Sequence, residues 1–227
     1  MRNTVDKLLV LLFLIPMMGV SQKKYKPPKH ALGFEVNWSR SVLGDYRNNS
    51  DLPVYFSAFH NEGYGGSIAL PYQYTPKSSF FGLQSGLGFF MWGTSYRKSG
   101  SIQTVTESLY SVGIPLVAQF KVARMFWLEA GLQTNFAVYN SLRDKGAWNR
   151  DTEPRGRLPL AELQSVIGFR YHFFRTFSFK VRAHYGLTPA YRRVLESYNP
   201  GTEGVYTLRY RFLVIEMGLS YLFPLKK

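Results

Sequence analysis

The sequence predicts an all-β fold, an eight-stranded antiparallel transmembrane β-barrel with an N-terminal signal peptide. Three observations predict it. The chain opens on an export signal, its body alternates apolar and polar residues in runs of about ten, and its connectors are alternately short and long.

The signal comes first. Arg2 and Lys7 make a basic start, and Leu8 to Val20 is an apolar run of 13 residues. Gly19 and Ser21 place small residues at positions −3 and −1 of a cut before Gln22. A helix needs about 20 apolar residues to span a bilayer, so residues 1–21 read as a cleaved signal peptide. Residues 22–30 follow as a basic tail, with Lys23, Lys24, Lys26 and Lys29 beside Pro27 and Pro28. The barrel is expected over 31–223, and 224–227 is a short C-terminal extension.

Composition supports strands over helices. Aromatic residues make up 17% of the 227, with 16 Tyr and 18 Phe, yet mean hydropathy is only −0.16. Apolar residues must therefore be interspersed with polar ones, which excludes a helical membrane protein. Cysteine is absent, which excludes a disulfide framework, a thiolate zinc site and a lipid-bearing cysteine. The formal charge is +14, or +13 once Arg2, Lys7 and Asp6 leave with the signal. For an exported chain, the expected counter-charge is anionic lipid and lipopolysaccharide, and no nucleic acid.

Eight alternating segments follow the tail. In 31–43, Leu32, Phe34, Val36 and Trp38 oppose Gly33, Glu35 and Asn37. In 67–74, Ile68, Leu70 and Tyr72 oppose Ser67, Ala69 and Gln73; in 80–96, Leu83, Leu87 and Phe89 oppose Gln84, Gly86 and Gly88. In 109–122, Val112, Ile114 and Leu116 oppose Ser111, Gly113 and Gln119; in 126–140, Leu128, Ala130 and Leu132 oppose Glu129, Gly131 and Gln133. The last three are 162–173, 177–188 and 205–223. There Ile167, Val181 and Leu219 represent the apolar face, and Arg170, Arg182 and Glu216 the polar one. Residues 75–79, 123–125 and 174–176 are short turns. Residues 44–63, 141–159 and 189–204 are long polar loops, and 97–106 is intermediate. Short turns on one rim and long loops on the other match outer-membrane barrels, with both termini at the periplasmic rim.

Glycine decides which face is inside. Gly33, Gly82, Gly86, Gly88, Gly113, Gly131, Gly168, Gly186 and Gly218 all share the polar face. A solvated surface has little use for strand glycine, whereas a narrow lumen needs the room. Four acids (Glu35, Glu129, Glu162, Glu216) and four bases (Lys121, Arg170, Lys180, Arg182) also share that face. They form a candidate luminal charge network in a barrel just wide enough to be filled by side chains. Pro115 removes one ladder hydrogen bond, which predicts a bulge or bend there.

These segments resemble a known family. Tyr110–Val122 (YSVGIPLVAQFKV), Trp127–Phe136 (WLEAGLQTNF), Phe177–Thr188 (FSFKVRAHYGLT), Ser78–Phe89 and Glu216–Phe223 are similar to strands of the PorT-like outer-membrane β-barrel proteins of the Bacteroidota. The resemblance implies a Gram-negative outer membrane and insertion by barrel-assembly machinery. It also implies an alternative role as an accessory component of the type IX secretion system, with secretion-system proteins as partners.

Chemistry is sparse by comparison. His30 falls in the tail and His60 in a loop, while His172 and His184 face the lumen. Ser111, Ser165 and Ser178 are read as inward too, so a Ser–His–Glu trio can be drawn, but a face this rich in Ser and Glu supplies such trios by chance. No metal-ligand spacing or phosphate loop is present, so no catalytic, metal or cofactor residue is expected. Loop 141–159 carries Arg143, Lys145, Arg150, Arg155 and Arg157 beside Asp144, Asp151 and Glu153, and reads as solvated. The expected function is a non-enzymatic outer-membrane barrel with a plugged lumen and a structural or interaction role through its extracellular loops. A barrel enzyme acting on lipid A or phospholipid is the remaining alternative.

Overall fold

Strands with one apolar face can satisfy every backbone N–H and C=O in hydrocarbon only by closing on themselves. The computed structural model of the chain describes residues 28–44, 62–76, 80–97, 104–145, 161–174, 176–189, 191–197 and 204–225. The strands are β1 (His30–Gly44), β2 (Glu62–Tyr74), β3 (Phe81–Arg97), β4 (Thr104–Lys121) and β5 (Phe126–Lys145). Next come β6 (Glu162–His172), β7 (Phe177–Gly186), β8 (Tyr191–Ser197) and β9 (Gly204–Pro224). Neighbours pair antiparallel from β1 through β7, and β9 pairs with both β7 and β1. The chain is a closed eight-stranded antiparallel β-barrel.

The ninth segment is a continuation rather than an extra stave. Both β7 and β8 pair with β9, from Tyr185↔Leu213 on one side to Tyr191↔Tyr210 on the other. Between these two pairs β9 has only residues 211 and 212, fewer than the chain between β7 and β8. Pro189 lies in this excess and has no N–H to give the ladder. The sequence reading of 189–204 as loop is thus corrected for Tyr191–Ser197. Its periodicity is weak, and it is held as strand because the upper half of β9 offers it an edge.

Other boundaries move by smaller amounts. His30 belongs to β1, not the tail, and bonds the Tyr72 hydroxyl at 2.6 Å. Pro224 pairs with Ala31 inside β9 rather than lying in the extension. Strand β5 runs on to Lys145, and β2 begins at Glu62. The signal peptide, residues 22–27, His60, and Arg150, Asp151, Glu153, Arg155 and Arg157 lie outside the described residues.

At Pro115, where a bulge or bend is expected, the ladder to β3 is interrupted but no extra residue is absorbed. The β4–β5 register runs unbroken through Pro115↔Gln133 and shifts instead between Tyr110 and Ser111, opposite Tyr139 and Ala137. Against β3, the pairs at Ser85↔Leu116 and Gly88↔Gly113 keep one register, with no pair between them. Pro115 is accommodated there beside Gly86, whose φ of 152° is open to glycine.

The outer face is apolar over its middle. Val36, Leu70, Leu87, Leu116, Leu132, Ile167 and Ile215 are all exposed. Aromatic rings fringe it at both ends. Toward the short turns, Tyr221 packs on Phe223 at 4.7 Å, Phe81 on Phe120 at 5.4 Å and Phe126 on Phe169 at 5.3 Å. Toward the loops, Trp38 stacks on Tyr64 at 5.8 Å and Tyr110 meets Tyr139 at 5.8 Å. On β4 the two fringes, Tyr110 and Phe120, are ten residues apart. At ~3.3 Å per residue and a tilt of 35–45°, that is roughly 23–27 Å, the height of an outer-membrane apolar band.

Candidate functional site

The lumen is where the chemistry-bearing side chains converge. Successive strand residues alternate faces, so the polar residue of each pair turns inward and is buried: Glu35, Gln84, Gln119, Glu129, Arg170, Lys180, Arg182 and Glu216 all lie at 3% exposure or less.

Glycine shapes the contacts. Gly168 stands directly between Glu129 on β5 and Arg182 on β7. With no side chain at that point, Arg182 reaches over β6 and its Nε donates to Glu129 Oε2 at 2.6 Å. A Cβ at Gly168 would collide with Arg182 itself.

Arg170 is the hub. Its Nε donates to Glu129 Oε1 at 2.8 Å, and its Nη2 to Glu35 Oε1 at 2.8 Å and Gln84 Oε1 at 2.7 Å. Its Nη1 donates to Ser178 Oγ at 3.2 Å. Lys180 bridges Glu35 and Glu216, its Nζ lying 2.5 Å from Glu35 Oε2 and 3.1 Å from Glu216 Oε1. Gln84 Oε1 also accepts from Gln119 at 2.9 Å and Arg182 at 2.9 Å. Ser67 Oγ donates to Glu216 Oε2 at 2.8 Å and accepts from Asn37 Nδ2 at 2.7 Å. Three acids and three bases thus share one buried network.

Buried charges without partners cost several kcal/mol each, and here each charge meets at least one opposite. The like-charged neighbours Arg170 and Lys180 face each other across β6 and β7, and Glu35 lies between their heads. The arrangement neutralises charge. Each of its three bases is engaged by a carboxylate.

Two members of the eight-residue set stand apart. Lys121 is only half-buried at the short-turn end of β4, and Glu162 opens β6 at the opposite end. Glu162 pairs across the ladder with Asn135, and no ion pair reaches it among the described residues. Sequence periodicity assigned the face correctly but carries no axial distance between residues on different strands.

The histidines lie at different levels. His172 packs edge-on against Trp127 at 6.1 Å near the short-turn rim. His184 lies between Trp92, at 6.5 Å, and Glu216, whose Oε1 is 3.9 Å from its Nε2. Ser165 is corrected to the outer face, where its Oγ reaches Tyr185 O at 3.4 Å. Ser178 is inward but holds Arg170.

Sequence reasoning missed an apolar layer inside the lumen. Phe90, Trp92, Leu109, Phe212 and Val214 form a buried cluster toward the long-loop end, joined by Ala137. Phe90 lies over Gly88 and Gly113, where a Cβ would strike its ring. The available signal was parity: these residues sit at the positions of Gln84 and Glu216 in the two-residue repeat.

No protein-family model and no curated protein sequence matches the chain. Solved structures do. The chain is similar to the outer membrane protein OprG from Pseudomonas aeruginosa at 12% identity and TM-score 0.51, covering 89% of this chain and 100% of OprG. Neisserial surface protein A overlaps 85% of this chain and 97% of its own, at 13% identity and TM-score 0.44. Ail of Yersinia pestis, in complex with the heparin analogue sucrose octasulfate, overlaps 86% and 99%, at 11% identity and TM-score 0.43. The likeness to OprG is one of fold: a single closed antiparallel barrel spanning the whole of that chain.

Proposed function

We infer that the chain is an integral outer-membrane barrel of a Gram-negative bacterium with a side-chain-plugged lumen. It serves a structural or interaction role through its extracellular loops rather than catalysing a reaction. One observation carries this reading: a charge-neutral network and an apolar cluster fill successive levels of the lumen. A pore needs a continuous wet path, and a catalyst needs a nucleophile and base free to react. The apolar belt supports the membrane setting, because a charge at mid-bilayer costs about 2–4 kcal/mol on a lipid-facing wall.

In this reading both termini are periplasmic, outer-membrane lipid and lipopolysaccharide surround the wall, and barrel-assembly machinery inserts it. The test is conductance. The mature chain, starting near Gln22, should fractionate with the outer membrane and give no steady ion current in planar bilayers. A stable open-channel current, or altered lipid A acylation on deletion of the gene, would overturn the reading.

The strand motifs similar to PorT-like barrels favour a second reading, an accessory component of type IX secretion. It predicts that deletion blocks export of that system's substrates while leaving the outer membrane intact.

A further inference from the structure

Glu162 is the buried carboxylate that the luminal network leaves out. It is 3% exposed, and neither of its oxygens has a hydrogen-bond partner within the ordinary distance. Around it the same condition recurs. Gln164, fully buried two residues on, has no partner for either amide atom, and Asn135, directly across the ladder, has none for its Nδ2. Glycine makes the space: a Cβ at Gly186 would come within 2.9 Å of Glu162 Oε1. Arg211 is also near, its Cβ 3.4 Å from that same point.

Buried charges are paired or coordinate metals. Glu35, Glu129 and Glu216 are already paired with Arg170, Lys180 and Arg182, and none of those ion pairs includes Glu162. The oxygens available are hard ones, two from Glu162 and the carbonyl of Gln164. Hard oxygen donors suit alkali and alkaline-earth ions, and a single carboxylate neutralises one positive charge, not two. We propose that Glu162, Gln164 and Asn135 form a binding site for a monovalent cation at the loop end of the lumen, with Asn135 orienting the carboxylate.

Thermal unfolding of the full mature barrel, read as the loss of gel heat-modifiability, tests this at constant ionic strength. Sodium or potassium chloride replaces N-methylglucamine chloride, whose cation is too large to enter. Alkali ion at ten times its dissociation constant should raise the wild-type midpoint by about 3–6 °C. Glu162→Gln, which keeps the shape and removes the charge, should abolish that shift. Gln164→Glu adds a second carboxylate and should transfer the stabilisation to calcium. An equal shift in wild type and Glu162→Gln would overturn the proposal. So would no shift in wild type together with a protonated-carboxyl infrared band that Glu162→Gln lacks, because Glu162 would then be a neutral acid. If Glu162→Gln fails to fold, Gln164→Leu decides: loss of the shift supports the site, and a retained shift overturns it.

Discussion

The middle and the loop end of the lumen are filled by opposite means. In the middle, Arg170, Lys180 and Arg182 interlock with Glu35, Glu129 and Glu216. Toward the loops, Phe90, Trp92, Leu109, Phe212 and Val214 pack as a small dry core. Both layers are buried, but they fail differently. An apolar layer loses transfer energy and gains a cavity when one ring is removed. A charged layer loses one partner and leaves another charge buried without compensation. The difference teaches why the glycines cluster as they do: Gly168 lets two charged side chains meet across a strand, while Gly88 and Gly113 seat the Phe90 ring.

Three alanine substitutions and a set of single cysteines break or sharpen this comparison. The largest effect is expected from Arg170→Ala, which leaves Glu35 and Glu129 each short of a partner. It should destabilise the barrel by about 3–5 kcal/mol, seen as a lower heat-modification temperature. If Trp92→Ala costs clearly more, the charged layer is not the stronger brace. Trp92→Ala itself should cost about 3 kcal/mol, at the lower end for a buried aromatic, because it lies nearer the open rim. Urea titration in detergent with an unchanged m-value would separate this loss from a general loosening.

Ser67→Ala comes third. It removes the donor to Glu216 and the acceptor for Asn37, at about 1–3 kcal/mol for the groups left unsatisfied. A cost below a few tenths would mean that Lys180 alone satisfies Glu216. The smallest energetic effect belongs to single cysteines on the outer wall. Leu132→Cys and Ile167→Cys, at 46% and 64% exposure, should react with lipophilic maleimides in membranes. Gln133→Cys, at 1% exposure, should not. The reverse labelling pattern would turn the barrel inside out and remove the lumen as a site.

Strand existence and facing were legible because both follow from a two-residue repeat that every segment carries in itself. The repeat placed Leu32 and Ile215 outward and Glu35 and Glu216 inward. It did not separate Glu162 from the other acids, since the axial level of a residue depends on how far each strand is staggered against its neighbours. Nor did it find β8, which pairs with the first part of β9, or the bulge at Tyr110. A proline marks where a hydrogen bond is lost, but the ladder as a whole decides where the extra residue is absorbed. Ser165 was misassigned for a simpler reason: it stands at odd parity with Leu163 and Ile167, and the repeat itself had placed it outward.

The sequence by itself therefore determined the class of fold, the number of barrel strands, the lipid-facing wall and the sign of every inward charge. These are local properties, written in alternation, glycine placement and connector length. Only the tertiary structure decided which charges meet, that an apolar layer caps them, and that Glu162 is left over. Those outcomes depend on closure, because joining β9 to β1 sets one stagger for the whole ring, and that stagger sets the height at which each side chain enters the lumen.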